Sequence, residues 1–272
     1  MCGRYILVQK VDILEKRFQV EAGPSFTWEP HFNISPGQLA PVITSEHPDK
    51  LQLFRFGMVP FWAKKDMFLI NARSEGDHNQ DNNPSYTGAR GIINKSAFRK
   101  PIRSQRCLIP ADAFIEGSTE EKLNKPYLVY LRNKMRPFAF AGIFDRWEHP
   151  VTGEWIHSFA IITTTANSLL QKIPHHRSPV ILLPNQEKKW LRSDLSLSDV
   201  TAMLQPLPGQ MMNAYPIAPA IKQPGFQSPD LIHPIGERLE PETEIVHHTE
   251  LQLSGMGSNK RFRFDPKKPQ GT

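Results

Sequence analysis

Apolar positions along the chain change period in a way that separates two kinds of element. Val11, Leu14 and Phe18 recur at the spacing of one helical face, which predicts a short amphipathic helix over residues 10–19. Elsewhere the apolar runs are shorter and rich in aromatic and β-branched side chains. Residues 51–59, 127–131, 138–144 and 158–163 are of this kind, bounded by Pro, Gly or charge, and are predicted strands. Residues 166–172, 186–192 and 199–204 read as further short helices, the last two with Asn185 and Ser198 as N-caps. Helices and strands intermix without a regular βαβ period. The expectation is therefore an α+β fold whose sheet is mainly antiparallel and barrel-like, with short flanking helices.

No internal repeat and no long linker interrupts this pattern, so residues 1–254 are expected to form one domain. Residues 76–91 are rich in Asn, Asp, Gly and Ser and contain Asn83-Pro84, the chemistry of a surface loop. Residues 255–272 carry five Lys or Arg and one Asp with little periodicity, and are expected to be a flexible basic tail.

Composition narrows the class. A chain of 272 residues can bury about 70% of its unfolded surface in one core. Its 39% hydrophobic content contains no apolar run near the ~18 residues of a membrane span, so a soluble protein without a membrane partner is expected. Charges at Arg4, Lys10, Asp12, Glu15, Lys16 and Arg17 interrupt any signal-peptide core, which points to the cytoplasm. Cys2 and Cys107 are too few for a disulfide framework and lack zinc-site spacing. Walker A, dinucleotide-glycine, HExxH and CxxC motifs are absent, and neither metal nor cofactor is expected. A formal charge of +6 and a pI near 9.3 favour a polyanionic partner. The run Lys95, Arg99, Lys100, Arg103, Arg106, with Lys64 and Lys65 beside Phe61 and Trp62, combines backbone-binding cations with stacking rings, as single-strand binders require. A solvated basic face has the same composition.

Candidate chemistry starts at Cys2. A small second residue permits removal of Met1, which leaves Cys2 with a free α-amine. Unperturbed, that amine titrates at about 7.7 to 8.0 and the thiol at about 8.5, so both are partly in reactive form near neutrality. With an aldehyde the amine forms a Schiff base and the thiol closes on it as a thiazolidine. An internal cysteine cannot do this. A frayed terminus is the ordinary reading of the same residue.

Three other segments carry polar groups next to apolar runs. Residues 67–70 read as a strand giving way to Asn71-Ala72-Arg73-Ser74-Glu75, which can present an amide, a guanidinium and a carboxylate to a cleft or simply end in a polar turn. Glu116, with Asp112 the weaker candidate, ends an apolar stretch, where partial burial would raise its pKa towards acid–base use. His175-His176-Arg177 lies between a short helix and residues 180–183, where His can exchange protons and Arg can hold a phosphate, or both can face solvent.

In order along the chain, these landmarks resemble the SOS-response-associated peptidase (SRAP) family. They are Cys2-Gly3-Arg4, Asn33-Ile34-Ser35-Pro36-Gly37, residues 57–63, residues 71–75, residues 107–110, Glu116, Thr163, and His175 with Arg177 and Pro179. The resemblance spans Cys2 to about Pro234. It implies recognition of abasic sites in single-stranded DNA and crosslinking to them without a cofactor, with Cys2 as nucleophile. By the same resemblance Asn71 orients the cysteine or the sugar, Glu116 is the acid–base catalyst of ring opening, and His175 assists Schiff-base formation or reversal. Arg4, Arg73 and Arg177 would contact phosphates, Pro36 and Trp62 would line the DNA path, and Thr163 belongs to the same DNA-binding set. Two positions depart from the family pattern: Gly117 stands where Trp is common, and Ser178 where Met is usual. A cysteine-type (auto)peptidase using Cys2 and a non-catalytic single-stranded DNA binder are the alternatives. Oligomeric state is not readable from the chain.

Overall fold

The computed structural model describes residues 2–132 and 135–242. Met1–Glu240 is one compact unit; the other, Pro241–Thr272, lies almost wholly outside the described residues, and with it the expected basic tail.

Fourteen strands occur among the described residues. β1 (Tyr5–Leu7), β2 (Glu21–Ala22), β3 (His31–Ile34), β4 (Leu39–Thr44) and β5 (Lys50–Phe56) come first, with α1 (Val11–Phe18) after β1. β6 (Asn71–Arg73), α2 (Pro101–Ser104), β7 (Arg106–Ala111), β8 (Ala113–Glu116) and β9 (Tyr127–Leu131) follow. The long β10 (Phe138–Glu148) and β11 (Trp155–Thr165) precede α3 (Ser168–Lys172), β12 (Arg177–Pro179), β13 (Ile181–Leu182), α4 (Pro184–Leu191), α5 (Leu197–Ala202) and β14 (Met212–Pro216).

The pairing closes a barrel. β5 pairs with β4, β4 with β7, β7 with β10 and β10 with β11, all antiparallel, and β11 returns to β5 in parallel. Closure leaves these five strands without a free edge along the ring. β7 is buried at every position without alternating because its inner face lies in the barrel and its outer face is covered by helices. Inside, Tyr5 meets Phe56 and Phe140 edge-on at 5.7 and 5.8 Å, and Phe56 stacks on Phe159 at 5.2 Å. α4 covers β7 from outside, where the fully buried Trp190 donates Nε1–H to the Cys107 carbonyl at 3.1 Å.

A second sheet, ordered β14-β9-β8-β1-β3, is entirely antiparallel. It is joined to the barrel at Asp112, the single residue between β7 and β8. Asp112 accepts from the Val8 backbone N–H (2.7 Å) and from Gln9 (3.1 Å), so this carboxylate pins the junction, and burial raises its pKa.

The α+β, mainly antiparallel barrel matches the expectation, and so do α1, with Leu14 and Phe18 buried, and β9. Differences are local. β5 stops at Phe56 because Gly57 turns away with φ +110, a left-handed conformation that suits glycine. Residues 67–70 make only an isolated bridge, Met58 to Leu69, and the strand is Asn71–Arg73 itself. α4 starts earlier than expected, since Pro184 occupies its first turn and Leu183, not Asn185, precedes it. α5 is capped by Ser196, not Ser198, whose hydroxyl accepts from the Asp199 N–H at 3.1 Å. No described helix is long and apolar enough to cross a membrane, and no described His, Cys, Asp and Glu side chains group as metal ligands.

Candidate active site

The two sheets bring four of the sequence-selected residues together. Cys2, just ahead of β1, is fully buried, and its carbonyl accepts from Asn71 Nδ2 at 3.0 Å. Asn71 is held in place because β6 lies parallel to β11, with Asn71 opposite Ile161. Its Nδ2 also donates to the Ile70 carbonyl at 3.0 Å. Asn71 Oδ1 is buried with no hydrogen-bond partner among the described residues, an acceptor open to an ammonium or hydroxyl proton.

Glu116 ends β8 opposite Tyr127 and is buried. Burial pushes its carboxyl up to about 7. His175 Nδ1 lies 3.4 Å from Glu116 Oε2 and 3.0 Å from the Gly117 carbonyl oxygen. That carbonyl can only accept, so Nδ1 carries the proton and Nε2 carries the lone pair. Burial first, and then the positive charges around it, of which Arg177 contributes least, pull the imidazole down to about 3. The ring is therefore neutral near pH 7, and its contact with Glu116 is polar but not an ion pair.

The Cys2 thiol departs from the sequence expectation. Burial, and then the nearby Glu116 charge, hold it well above the usual thiol range, while a backbone hydrogen bond at Arg4 acts weakly the other way. At neutral pH the sulfur is a thiol, not a part-ionised thiolate. Cys107 is buried inside the barrel, where a Cβ on Gly142 would come within 2.8 Å of its sulfur, and burial pushes its thiol up as well.

Gly117 is obligatory. A Cβ there would sit 1.7 Å from the Lys122 carbonyl oxygen, so the chain cannot carry the larger residue common at this position. Ser178 is buried and its hydroxyl lies 3.4 Å from the Asn167 backbone nitrogen, which donates to it.

Beside these groups lies an arginine cluster around Glu75, which is fully buried. Arg177 donates both Nη groups to it, at 3.2 and 2.8 Å, and Nη2 also reaches Thr163 Oγ1 at 3.3 Å. Arg73 and Arg90 each approach Glu75 to 3.9 Å. Burial alone would raise the Glu75 carboxyl, but the hydrogen bonds and charge of Arg177 outweigh it and hold it below its usual range. Three guanidinium groups share one carboxylate, leaving a local excess of two positive charges. Arg73 is the most exposed of them, whereas Arg177 is 4% exposed and Arg90 9%. Arg177 and Thr163 thus shape the cluster, and Arg73, 31% exposed, keeps Nε and Nη2 buried without a hydrogen-bond partner among the described residues.

Arg4 is engaged elsewhere, donating to Asn33 Oδ1 (2.7 Å) and to the Lys222 carbonyl (2.8 Å). Pro36 is exposed on the turn before β4. Trp62 (47% exposed), Phe61 and Phe68 are exposed aromatic side chains, with Lys100 over the Phe61 ring and Arg55 over the Phe68 ring at 4.7 Å each. This loop is anchored from beneath: the Phe61 and Val59 N–H groups donate to Asp145 and to Ser158, each at 2.9 Å. The expected basic run splits. Arg106 is fully buried and bonds backbone carbonyls of Ile102, Arg103, Trp190 and Arg192, so it belongs to the core. Lys95 pairs with Asp77 at 2.6 Å. The sequence reading missed Arg90, because it treated residues 76–91 as surface loop only; an Arg at the loop's last polar position was the available signal.

The chain matches a known family in sequence and in fold. The profile of SOS response associated peptidase (SRAP) matches residues 1–224. The chain is 33% identical over 241 residues to the abasic site processing protein YoqW of Bacillus subtilis, covering 85% of this chain and 99% of that protein. It is 27% identical over 248 residues to the abasic site processing protein YedK of Escherichia coli (86% and 100% covered), and 25% identical over 274 residues to HMCES of Gallus gallus (90% and 77%). A crystal structure of a Bacteroides thetaiotaomicron protein superposes with a TM-score of 0.72 at 28% identity, covering 86% of this chain and 99% of that one. This chain belongs to the SRAP family.

Proposed function

We propose that this protein processes abasic sites, capturing the open-chain aldehyde of an abasic site in single-stranded DNA through Cys2 once Met1 has been removed. The names of its relatives support abasic-site processing. The observation that carries the mechanism is Glu116, a buried carboxyl at about 7 beside both the cysteine and a neutral histidine.

In this reading the Cys2 amine adds to C1′ of the aldehyde, and a proton moves from nitrogen to oxygen, giving a carbinolamine. Glu116 as the acid protonates the departing hydroxyl, water leaves, and a C=N bond forms. The thiol sulfur then adds to the imine carbon. Its proton goes to the Glu116 carboxylate and the imine nitrogen ends as the ring N–H. Glu116 finishes as it began, and one water is lost overall. A group near pH 7 suits both half-cycles, because it gives and takes a proton at comparable cost. His175 Nε2 and Asn71 Oδ1 are acceptors suited to holding the amine proton and a sugar hydroxyl. Arg73, with the excess charge of its cluster, suits a flanking phosphate, and Trp62 and Pro36 suit the strand's path. The reaction takes place in the cytoplasm in this proposal and draws on no cofactor.

A cysteine-peptidase reading needs a thiolate paired with an imidazolium. Here the thiol is pushed up and the imidazole pulled down, so both shifts oppose that pair. A purely non-catalytic binder has no use for a buried carboxyl at about 7. The test is a denaturing gel after mixing protein lacking Met1 with a single-stranded oligonucleotide holding one abasic site. A heat-stable slower band is expected without added reductant; no band, or the same band with the aldehyde blocked by methoxyamine, overturns the proposal.

A further inference from the structure

A cavity of about 250 Å³ opens next to His175 on the side formed by the loop of residues 76–91. We infer that it is a nucleobase pocket, which receives the unstacked base adjoining the reacting sugar; this rests on the single-stranded DNA reading above.

Size sets the first limit. The space lies just below the roughly 300–1,000 Å³ of pockets for drug-sized ligands, which leaves room for one planar ring system. Its wall is built for a flat face. His175 and His176 both line it, and their rings stack on each other, parallel to within 5° at 5.1 Å, so the pair can offer one outer face. Ala166, Pro174 and Pro84 supply the apolar remainder. Burial lowers both imidazoles, so the wall is an uncharged π surface, suited to a neutral base more than to a cation or an anion.

The polar feature is on the loop. Asn82 lines the cavity at φ +54, and its Nδ2 donates to the Gln80 carbonyl at 3.3 Å. Its Oδ1 is buried with no hydrogen-bond partner among the described residues. A small rotation of the amide would bring this acceptor to the cavity wall, where it fits an N–H on a base edge. Continuity gives the remaining argument: His175 contacts Glu116 on one side and lines the cavity on the other, so the occupant must adjoin the sugar.

The test separates binding from chemistry. Full-length protein lacking Met1 is titrated by fluorescence anisotropy with single-stranded oligonucleotides carrying a tetrahydrofuran abasic analogue, which has no aldehyde. The 5′ or 3′ neighbouring base is either present or also removed. Loss of one of the two neighbours should weaken wild-type binding about tenfold, about 1.4 kcal/mol. Gln171→Trp, at an exposed position on the rim, should fill the cavity and cut that penalty to below about twofold, and Asn82→Gly should cut it in part. Equal affinity of wild type for all oligonucleotides, or an unchanged penalty in Gln171→Trp, overturns the pocket. Crosslinking of the same samples to aldehyde-bearing DNA is scored separately: its absence overturns the parent reading and leaves the base preference to be judged alone.

Discussion

Replacing Glu116 by Gln sets function against stability at one residue. The carboxyl sits at about 7 in the fold because it is buried, against an ordinary value of 4.5. A raised acid makes folding less favourable wherever the unfolded chain has already released the proton. Below pH 4.5 both states are protonated and nothing is lost. Between 4.5 and 7 the unfolded chain ionises first and stability falls, and above 7 the whole difference applies. At 1.36 kcal/mol per pKa unit the penalty is about 1 kcal/mol at pH 5 and about 3 kcal/mol at pH 8. Gln is isosteric, cannot ionise, and keeps an oxygen for the His175 Nδ1 proton. Glu116→Gln should therefore raise the melting temperature at pH 8 by about 6 to 12 °C and at pH 5 by only a few degrees, taking about 2 to 4 °C per kcal/mol. Crosslinking should slow by about 10² to 10⁴-fold. Calorimetry at the two pH values with wild type alongside, and a gel time course, measure both. A destabilised variant at pH 8, or a shift independent of pH, would refute the buried-acid argument whatever the rate does.

Other positions give independent checks. Glu75→Gln removes the shared counter-charge of Arg73, Arg90 and Arg177, and chemical denaturation should show a loss of about 3 to 5 kcal/mol, as for a broken buried pair. Trp62→Ala should weaken DNA binding by about 1 to 3 kcal/mol, the worth of one stacked base, with an unchanged melting temperature. Gly117→Ala must displace the Lys122 carbonyl and with it the acceptor of His175; the variant should melt lower and crosslink more slowly, and wild-type behaviour in both would mean that the Gly117 contact is slack.

Much of the fold class was legible because it depends on period and on residue type. α1 and β9 follow directly from spacing. β4 and β7 did not, since each carries a proline, Pro41 and Pro110, and proline within a run speaks against a strand. Both are barrel strands in which the missing N–H is tolerated, with Pro41 opposite Leu53 and Pro110 opposite Ala139. Of the site, Cys2, Glu116 and His175 stand out by their own chemistry and Asn71 as a polar group behind an apolar run, but each has an equally ordinary reading, and only the resemblance joins the four and gives them roles. The direction of the Glu116 shift was legible from its apolar run, but the coupling among the three titrating groups was not. Burial decides that Glu116 titrates near neutrality, that Cys2 holds its proton and that His175 does not take one, and burial is set by two sheets whose strands are far apart in sequence. Arg106 shows the same effect in reverse, because a residue that looked like part of a basic face caps core carbonyls.

The central claim is that Cys2, with a free amine, forms a thiazolidine with an abasic aldehyde. Intact mass spectrometry of the protein before and after exposure to abasic single-stranded DNA tests it most directly. The account predicts a starting mass lacking Met1 and a product equal to protein plus oligonucleotide less one water, with the adduct on the peptide that begins at Cys2 and absent in Cys2→Ala. An adduct on any other residue, or one of undiminished yield in Cys2→Ala or in protein that retains Met1, would contradict it.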